Sequence, residues 1–188
     1  MTTIIFMVRH GESPKEGNER TRDLTDNGKQ DARKIAGSLK KEGIDVFVSS
    51  PYKRAVETIR GLAEQAGKEV KIIEDLRERV FASGVTRISD KELLPLLKKS
   101  FADPNFSLPG GESNAACQKR ALAVLEDLLE TYQGSKVVIG THGAVMTLMM
   151  GYYDNRYGLD FLLQSSKPDV YRMEFNDHEL IGIGRVWN

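Results

Sequence analysis

At 188 residues the chain is the size of one domain, and a domain of that length buries roughly 70% of its unfolded surface without needing staples. Its 27 basic and 27 acidic residues cancel, so no general field draws in nucleic acid or an acidic membrane, and any anion site has to be built locally. A single cysteine, Cys117, forms no internal disulfide, and no apolar stretch approaches the length of a membrane span; both point to the cytoplasm.

The N-terminal run TIIFMVR, residues 3–9, is short, β-branched and continuously apolar, which predicts a buried strand rather than a signal peptide. A polar loop with Pro14 follows. Thr25 then caps a helix whose inward face is Ala32, Ile35, Ala36 and Leu39, ended by Gly43. The second strand is IDVFVSS, residues 44–50. Ser50 and Pro51 read as the cap and first residue of a helix from Tyr52 that buries Val56, Ile59, Leu62 and Ala63. KEVKIIEDL is the third strand. Residues 77–112 are less regular, with one short helix opened by Ser89-x-x-Glu92 and a loop DPNFSLPGGES.

Ser113 caps a long helix with a stripe of Cys117, Ala121, Val124, Leu125, Leu128 and Tyr132, where Cys117 reads as a small core hydrophobe rather than a nucleophile. KVVIGTH, residues 136–142, is the fourth strand, followed by a helix through AVMTLMM. Two strands, DVYRMEF and ELIGIGRVW, close the chain around a tight turn at Asn176-Asp177. Strands alternating with helices predict one α/β domain over residues 1–188 with a mainly parallel sheet.

Ligands of such sheets lie outside the carboxyl ends of the strands. Three of those ends are polar: Arg9-His10-Gly11, Ser49-Ser50-Pro51 with Arg54 one turn on, and Thr141-His142-Gly143. Two guanidiniums match phosphate oxygens, a neutral imidazole carries a phosphoryl group, and glycines let a ligand approach backbone N–H groups. A metal is the competing use of two histidines, but the flanking arginines repel a divalent cation and the third histidine, His178, lies in the C-terminal hairpin.

VRHGES, SSPYKRAVET, LPGGES and GTHG, in this order, resemble the histidine phosphatase superfamily, the phosphoglycerate-mutase-like proteins, over nearly the whole chain. The resemblance implies a three-layer α/β/α sandwich with a mainly parallel sheet and a helical canopy, here about residues 77–112. It implies a nucleophile at His10, with Arg9, Arg54, His142 and the Gly143 N–H around the phosphoryl oxygens. It implies a general acid at Glu78, in the Leu-x-Glu context, with Glu74 and Asp75 as competitors in a charge-rich stretch.

Two positions depart from the family pattern. Glu16 stands where a pocket asparagine is usual; either the loop bulges so that Asn18, two residues later, serves in its place, or the contact is missing. RVFASGVTR stands where an aromatic-Glu-Gly pattern often follows the acid.

The expected activity is a metal- and cofactor-independent phosphomonoesterase acting on a small phosphorylated metabolite and releasing inorganic phosphate. The alternatives are a phosphoglycerate mutase, for which the chain is short, and a phospho-ligand-binding module without catalysis, against which the intact His10, Arg54 and His142 argue. Substrate identity and oligomeric state are not encoded in any motif.

Overall fold

The structure, a computed structural model, describes residues 1–188. Six strands form one sheet in the order β3-β2-β4-β1-β5-β6. They are β1 (Thr2–Arg9), β2 (Val46–Ser49), β3 (Val70–Ile72), β4 (Lys136–Thr141), β5 (Asp169–Asn176) and β6 (Glu179–Arg185). The first four strands run parallel, β5 is antiparallel to β1, and β6 is antiparallel to β5. The helices are α1 (Asp26–Leu39), α2 (Lys53–Gln65), α3 (Asp90–Ala102), α4 (Asn114–Thr131), α5 (Gly143–Tyr153) and α6 (Leu159–Gln164).

Strand β1 lies between β4 and β5 and is apolar on both faces, because each face is covered. Ile4, Phe6 and Val8 pack with Ile35, Ala36 and Leu39 of α1 and Ile59 and Leu62 of α2. Ile5 and Met7, one residue out of phase, pack with Cys117, Ala121 and Leu125 of α4 and Val145 and Met149 of α5. This gives an α/β sandwich with a helical layer on each side of the sheet. No helix is long and apolar enough to cross a membrane.

Three predicted helix caps form: Thr25, Ser89 and Ser113 each accept a backbone N–H of the first turn. Elsewhere the boundaries move. The expected third strand over residues 68–76 shrinks to 70–72, since β2 offers only four residues to pair with. The chain then tightens into a 3-10 turn, Glu74–Leu76, that drops Leu76 into the core beneath α4. Helix α2 starts at Lys53 with no side-chain cap, and the Ser50 hydroxyl is used elsewhere. Helix α6 has no counterpart in the sequence reading, because six residues are too few to show a 3.6-residue stripe.

The parallel register sets the site. Arg9 pairs with Thr141 and Ser49 with Gly140, so β1, β2 and β4 end level with one another. The ladder continues one step past each strand, with His10 N–H donating to the Thr141 carbonyl at 3.0 Å and Ser50 N–H to that of Gly140 at 2.9 Å. Because β5 runs the other way, its first residue, Asp169, pairs with Arg9, and the loop before it reaches the same edge.

Candidate active site

A cavity of about 550 Å³ opens at that edge. Arg9, His10, Arg54 and Glu78 line it, together with residues 79–88, parts of α3, and Leu162, Ser165 and Lys167.

The His10 ring is buried, and its Nδ1 lies 2.7 Å from the Gly11 carbonyl oxygen. A carbonyl only accepts, so Nδ1 carries the proton and Nε2 keeps its lone pair. Arg54 Nε donates to that Nε2 at 3.3 Å. Burial, then the Arg54 and Arg9 charges, holds the imidazole well below its ordinary pKa, so it is neutral and nucleophilic at neutral pH.

His142 is fully buried, with its ring 5.2 Å from that of His10 and edge-on to it. Its Nε2 lies 2.7 Å from Ser50 Oγ. That oxygen already accepts the Tyr52 N–H, so its hydroxyl proton is free to go to Nε2. The ring proton then sits on Nδ1, which has no partner: an unmet donor beside His10. Burial first, then Arg54 and His10, keeps this imidazole neutral as well.

Arg9 donates through Nη1 to Ser165, while its buried Nε is unpartnered. Its guanidinium lies flat against Gly143, where a Cβ would come within 2.7 Å of Cζ. Glycine at the first position of α5 is therefore what admits Arg9 to the helix N-terminus. Arg54 is buried on α2 and clamped by Glu19, whose carbonyl and carboxylate accept from Nη1 and Nη2.

Of the three candidate acids only Glu78 reaches the cavity. Glu74 and Asp75 are exposed and paired with Arg20 and Arg77. The Glu78 carboxylate accepts the Ala144 N–H at 3.1 Å and the Val145 N–H at 2.9 Å, at the N-terminus of α5, and the Arg79 N–H at 2.8 Å. Its Oε2 has one of these three partners and so retains room to exchange a proton.

A guanidinium on α4 fixes the chain around Glu78. Arg120 Nη1 donates to the carbonyls of Asp75 (2.7 Å) and Arg77 (2.9 Å), and Nη2 to that of Glu78 (3.1 Å). Glu112, from the PGGES stretch, pairs with Arg120 through both oxygens and accepts the Val80 N–H at 2.8 Å.

Asn18 does not join the others. It is exposed, lies outside the cavity lining, and spends Oδ1 on the backbone N–H groups of Arg20 and Thr21. Glu16 is also exposed and outside. The loop instead delivers Glu19 and Arg22 to the cavity. Glu19, Ser50, Ser165 and Lys167 are the site residues that sequence reasoning missed. Ser50 alone carried a signal, at the end of a strand, and its hydroxyl looked like a helix cap. Cys117 is inert by comparison, its thiol pushed up to about 12 by burial. No group of three or more His, Cys, Asp or Glu side chains is placed to hold a metal ion.

The chain is 32% identical over 154 residues to a phosphoglycerate mutase-like protein of Arabidopsis thaliana, covering 76% of this chain and 67% of that one. It is 33% identical over 156 residues to a metal-independent phosphoserine phosphatase of the same plant, covering 77% and 66%. Among solved structures, a mycobacterial glucosyl-3-phosphoglycerate phosphatase bound to inorganic phosphate superposes with a TM-score of 0.79 at 20% identity, covering 98% and 96% of the two chains. The model of the histidine phosphatase superfamily, branch 1, matches residues 5–180, a span that holds both histidines, both arginines and Glu78, and it is to this superfamily that the chain belongs.

Proposed function

We propose that the protein is a phosphomonoesterase that hydrolyses a small phosphorylated metabolite through a phosphohistidine on His10. The observation that carries this reading is the neutral His10 ring at the floor of an open cavity, with its proton tied to Gly11 and its unprotonated Nε2 accepting only the long contact from Arg54 Nε. Relatives named as phosphoserine phosphatase and phosphoglycerate mutase-like support phosphoryl chemistry at such a site. The lone buried thiol suits a reducing compartment, the cytoplasm.

Nε2 attacks phosphorus, the N–P bond forms, and the P–O bond to the alcohol breaks as Glu78 gives that oxygen a proton. Arg9, Arg54, His142 Nδ1–H and the Gly143 N–H hold the three equatorial oxygens as their charge redistributes. Water then attacks phosphorus, Glu78 takes its proton, and the N–P bond breaks to release inorganic phosphate and restore His10. These groups supply the positive charge that a metal would bring, so no metal step enters.

The test is a brief reaction with a 32P-labelled monoester followed by denaturation. The label is expected on His10, stable to alkali and lost in acid, and formed equally after EDTA treatment. An acid-stable adduct, or activity that EDTA abolishes and a divalent ion restores, overturns the reading. Return of the label to a second alcohol in place of free phosphate marks a mutase.

A further inference from the structure

The cavity has a wall that the phosphoryl chemistry does not use. Leu97, Ala144 and Leu162 form a buried apolar cluster apart from the two on the faces of the sheet, with Phe81 and Leu93 packed against it, and all five line the cavity. At the mouth, Val85 and Leu163 are 51% and 50% exposed. Residues 81–85, α3, α5 and α6 thus meet in one apolar surface whose open side is the cavity. Phe81 is a fixed platform within it. The Arg79 guanidinium stacks 4.2 Å from its ring centroid, and is itself held by Asn114 Oδ1 at 2.7 Å and Ser100 Oγ at 3.0 Å.

The charged side of the cavity makes no comparable demand. Of the seven guanidiniums that line it, five have a carboxylate partner: Glu19 serves Arg22 and Arg54, Glu74 serves Arg20, Asp75 serves Arg77, and Asp90 serves Arg87. Arg79 spends its donors on neutral oxygens, Arg9 faces the phosphoryl position, and the Lys167 ammonium is exposed to water. The apolar wall has no such internal partner, and it begins where the leaving alcohol is released. Ala144 donates its N–H to the Glu78 carboxylate at 3.1 Å, so an alcohol protonated by Glu78 has the Ala144, Leu97 and Leu162 cluster beside it.

We propose that this wall is the leaving-group site, and that the substrate is the phosphomonoester of an apolar alcohol, with a ring or a branched hydrocarbon as its body, rather than of a polyol. The assignment rests on the phosphoryl-transfer reading of His10. A cavity of about 550 Å³ is of the size that holds such a body together with the phosphoryl group. Hydroxyls of a polyol would give up water against this wall and find no partner there. Phe81 and the leucines set specificity and do not touch the reacting atoms.

The test compares 2-phenylethyl phosphate with ethyl phosphate and glycerol 1-phosphate, all esters of primary alcohols. The wild-type kcat/KM is expected to favour the phenylethyl ester over each of the others by about tenfold or more, the order gained by burying part of a phenyl ring. Leu163→Gln, at an exposed position outside the core, and Phe81→Ser each cut that preference severalfold, chiefly through KM. A wild-type ratio near one, or one that favours glycerol 1-phosphate, overturns the assignment while hydrolysis stands. Equal losses on all three esters in both variants overturn it too, because the wall then serves the fold alone. Calorimetric binding of the esters to His10→Ala separates the two readings. If no ester is hydrolysed, tighter binding of the phenylethyl ester than of ethyl phosphate upholds the wall and defeats only the phosphatase. Equal binding, or none of either at millimolar concentration, defeats the wall.

Discussion

Glu78 holds the N-terminus of α5 and lines the cavity, and the proposed mechanism makes a measurable demand on that one carboxylate. Three backbone N–H groups fix its position; Glu78→Gln keeps the shape and an oxygen for Arg79 and Val145, gives up the Ala144 contact, and loses the proton that the proposed mechanism hands to the leaving alcohol. General acid catalysis contributes ~10²–10⁴-fold, and an alkoxide needs the proton far more than p-nitrophenolate does. The expected outcome is a loss in that range on alkyl phosphates and a much smaller one on p-nitrophenyl phosphate, measured as kcat/KM. His10→Ala loses both alike. Equal losses for Glu78→Gln on the two esters would remove it from proton transfer and leave it as a helix cap. At this scale the sequence was legible where a residue follows a strand end: Arg9, His10, Arg54 and His142 lie at β1, β2 and β4, and the parallel register does the rest. Of the two alternatives at Asn18, the sequence cannot choose, because an asparagine two residues before Arg20 is as well suited to a turn as to a ligand; here the turn takes its oxygen.

Between residue and fold stands the strap from the 3-10 turn to Val80, which has little regular structure of its own and carries Glu78 into the cavity. Arg120 and Glu112 hold it to α4, and Gly111 packs so closely that a Cβ there would lie 2.3 Å from the Phe81 carbonyl oxygen. Arg120→Met removes three carbonyl anchors and strands the half-buried Glu112, at a cost on the order of 2–4 kcal/mol. If the clasp places Glu78, kcat on alkyl phosphates falls about tenfold or more while p-nitrophenyl phosphate is hardly affected. Arg120→Lys regains stability through Glu112 but not that kcat, since an ammonium cannot reproduce the fork. Denaturant melts beside kinetics on both esters check this, and equal kinetic losses would assign the clasp to folding alone. The pairing of PGGES with Arg120 was invisible in sequence, because side chains from a loop and from two helical turns further on meet only after α4 has docked. For the same reason nothing in the sequence marks the loop before β5 as part of the cavity. Its place in the site follows from β5 being antiparallel, which no local pattern around residues 165–168 encodes.

For the whole molecule, two neutral histidines buried at one sheet edge link stability to pH. Both folded values lie well below the ordinary 6.5, so the unfolded chain takes up protons near 6.5 that the folded chain refuses. Stability is therefore greatest above about pH 6.5 and falls as pH drops below it. Each histidine costs about 1 kcal/mol or slightly more by pH 5.5, and the pair roughly 2–3. His178 has the opposite sign: Glu126 and Glu130 raise its value, so its small contribution is present at low pH and lost as pH rises. The carboxylates with lowered values, Asp23, Glu74, Asp90, Glu112, Asp154 and Asp177, lose their contribution only as pH falls below about 4.5, outside this window. Guanidinium unfolding of a His178→Gln background at pH 7.5 and 5.5 isolates the buried pair. The drop between the two pH values is expected to shrink by about half when His142→Gln is added, because glutamine offers an amide to Ser50 and does not titrate. An unchanged drop would mean that His142 is protonated in the folded protein, and its Nδ1–H could then no longer be assigned by the Ser50 hydroxyl.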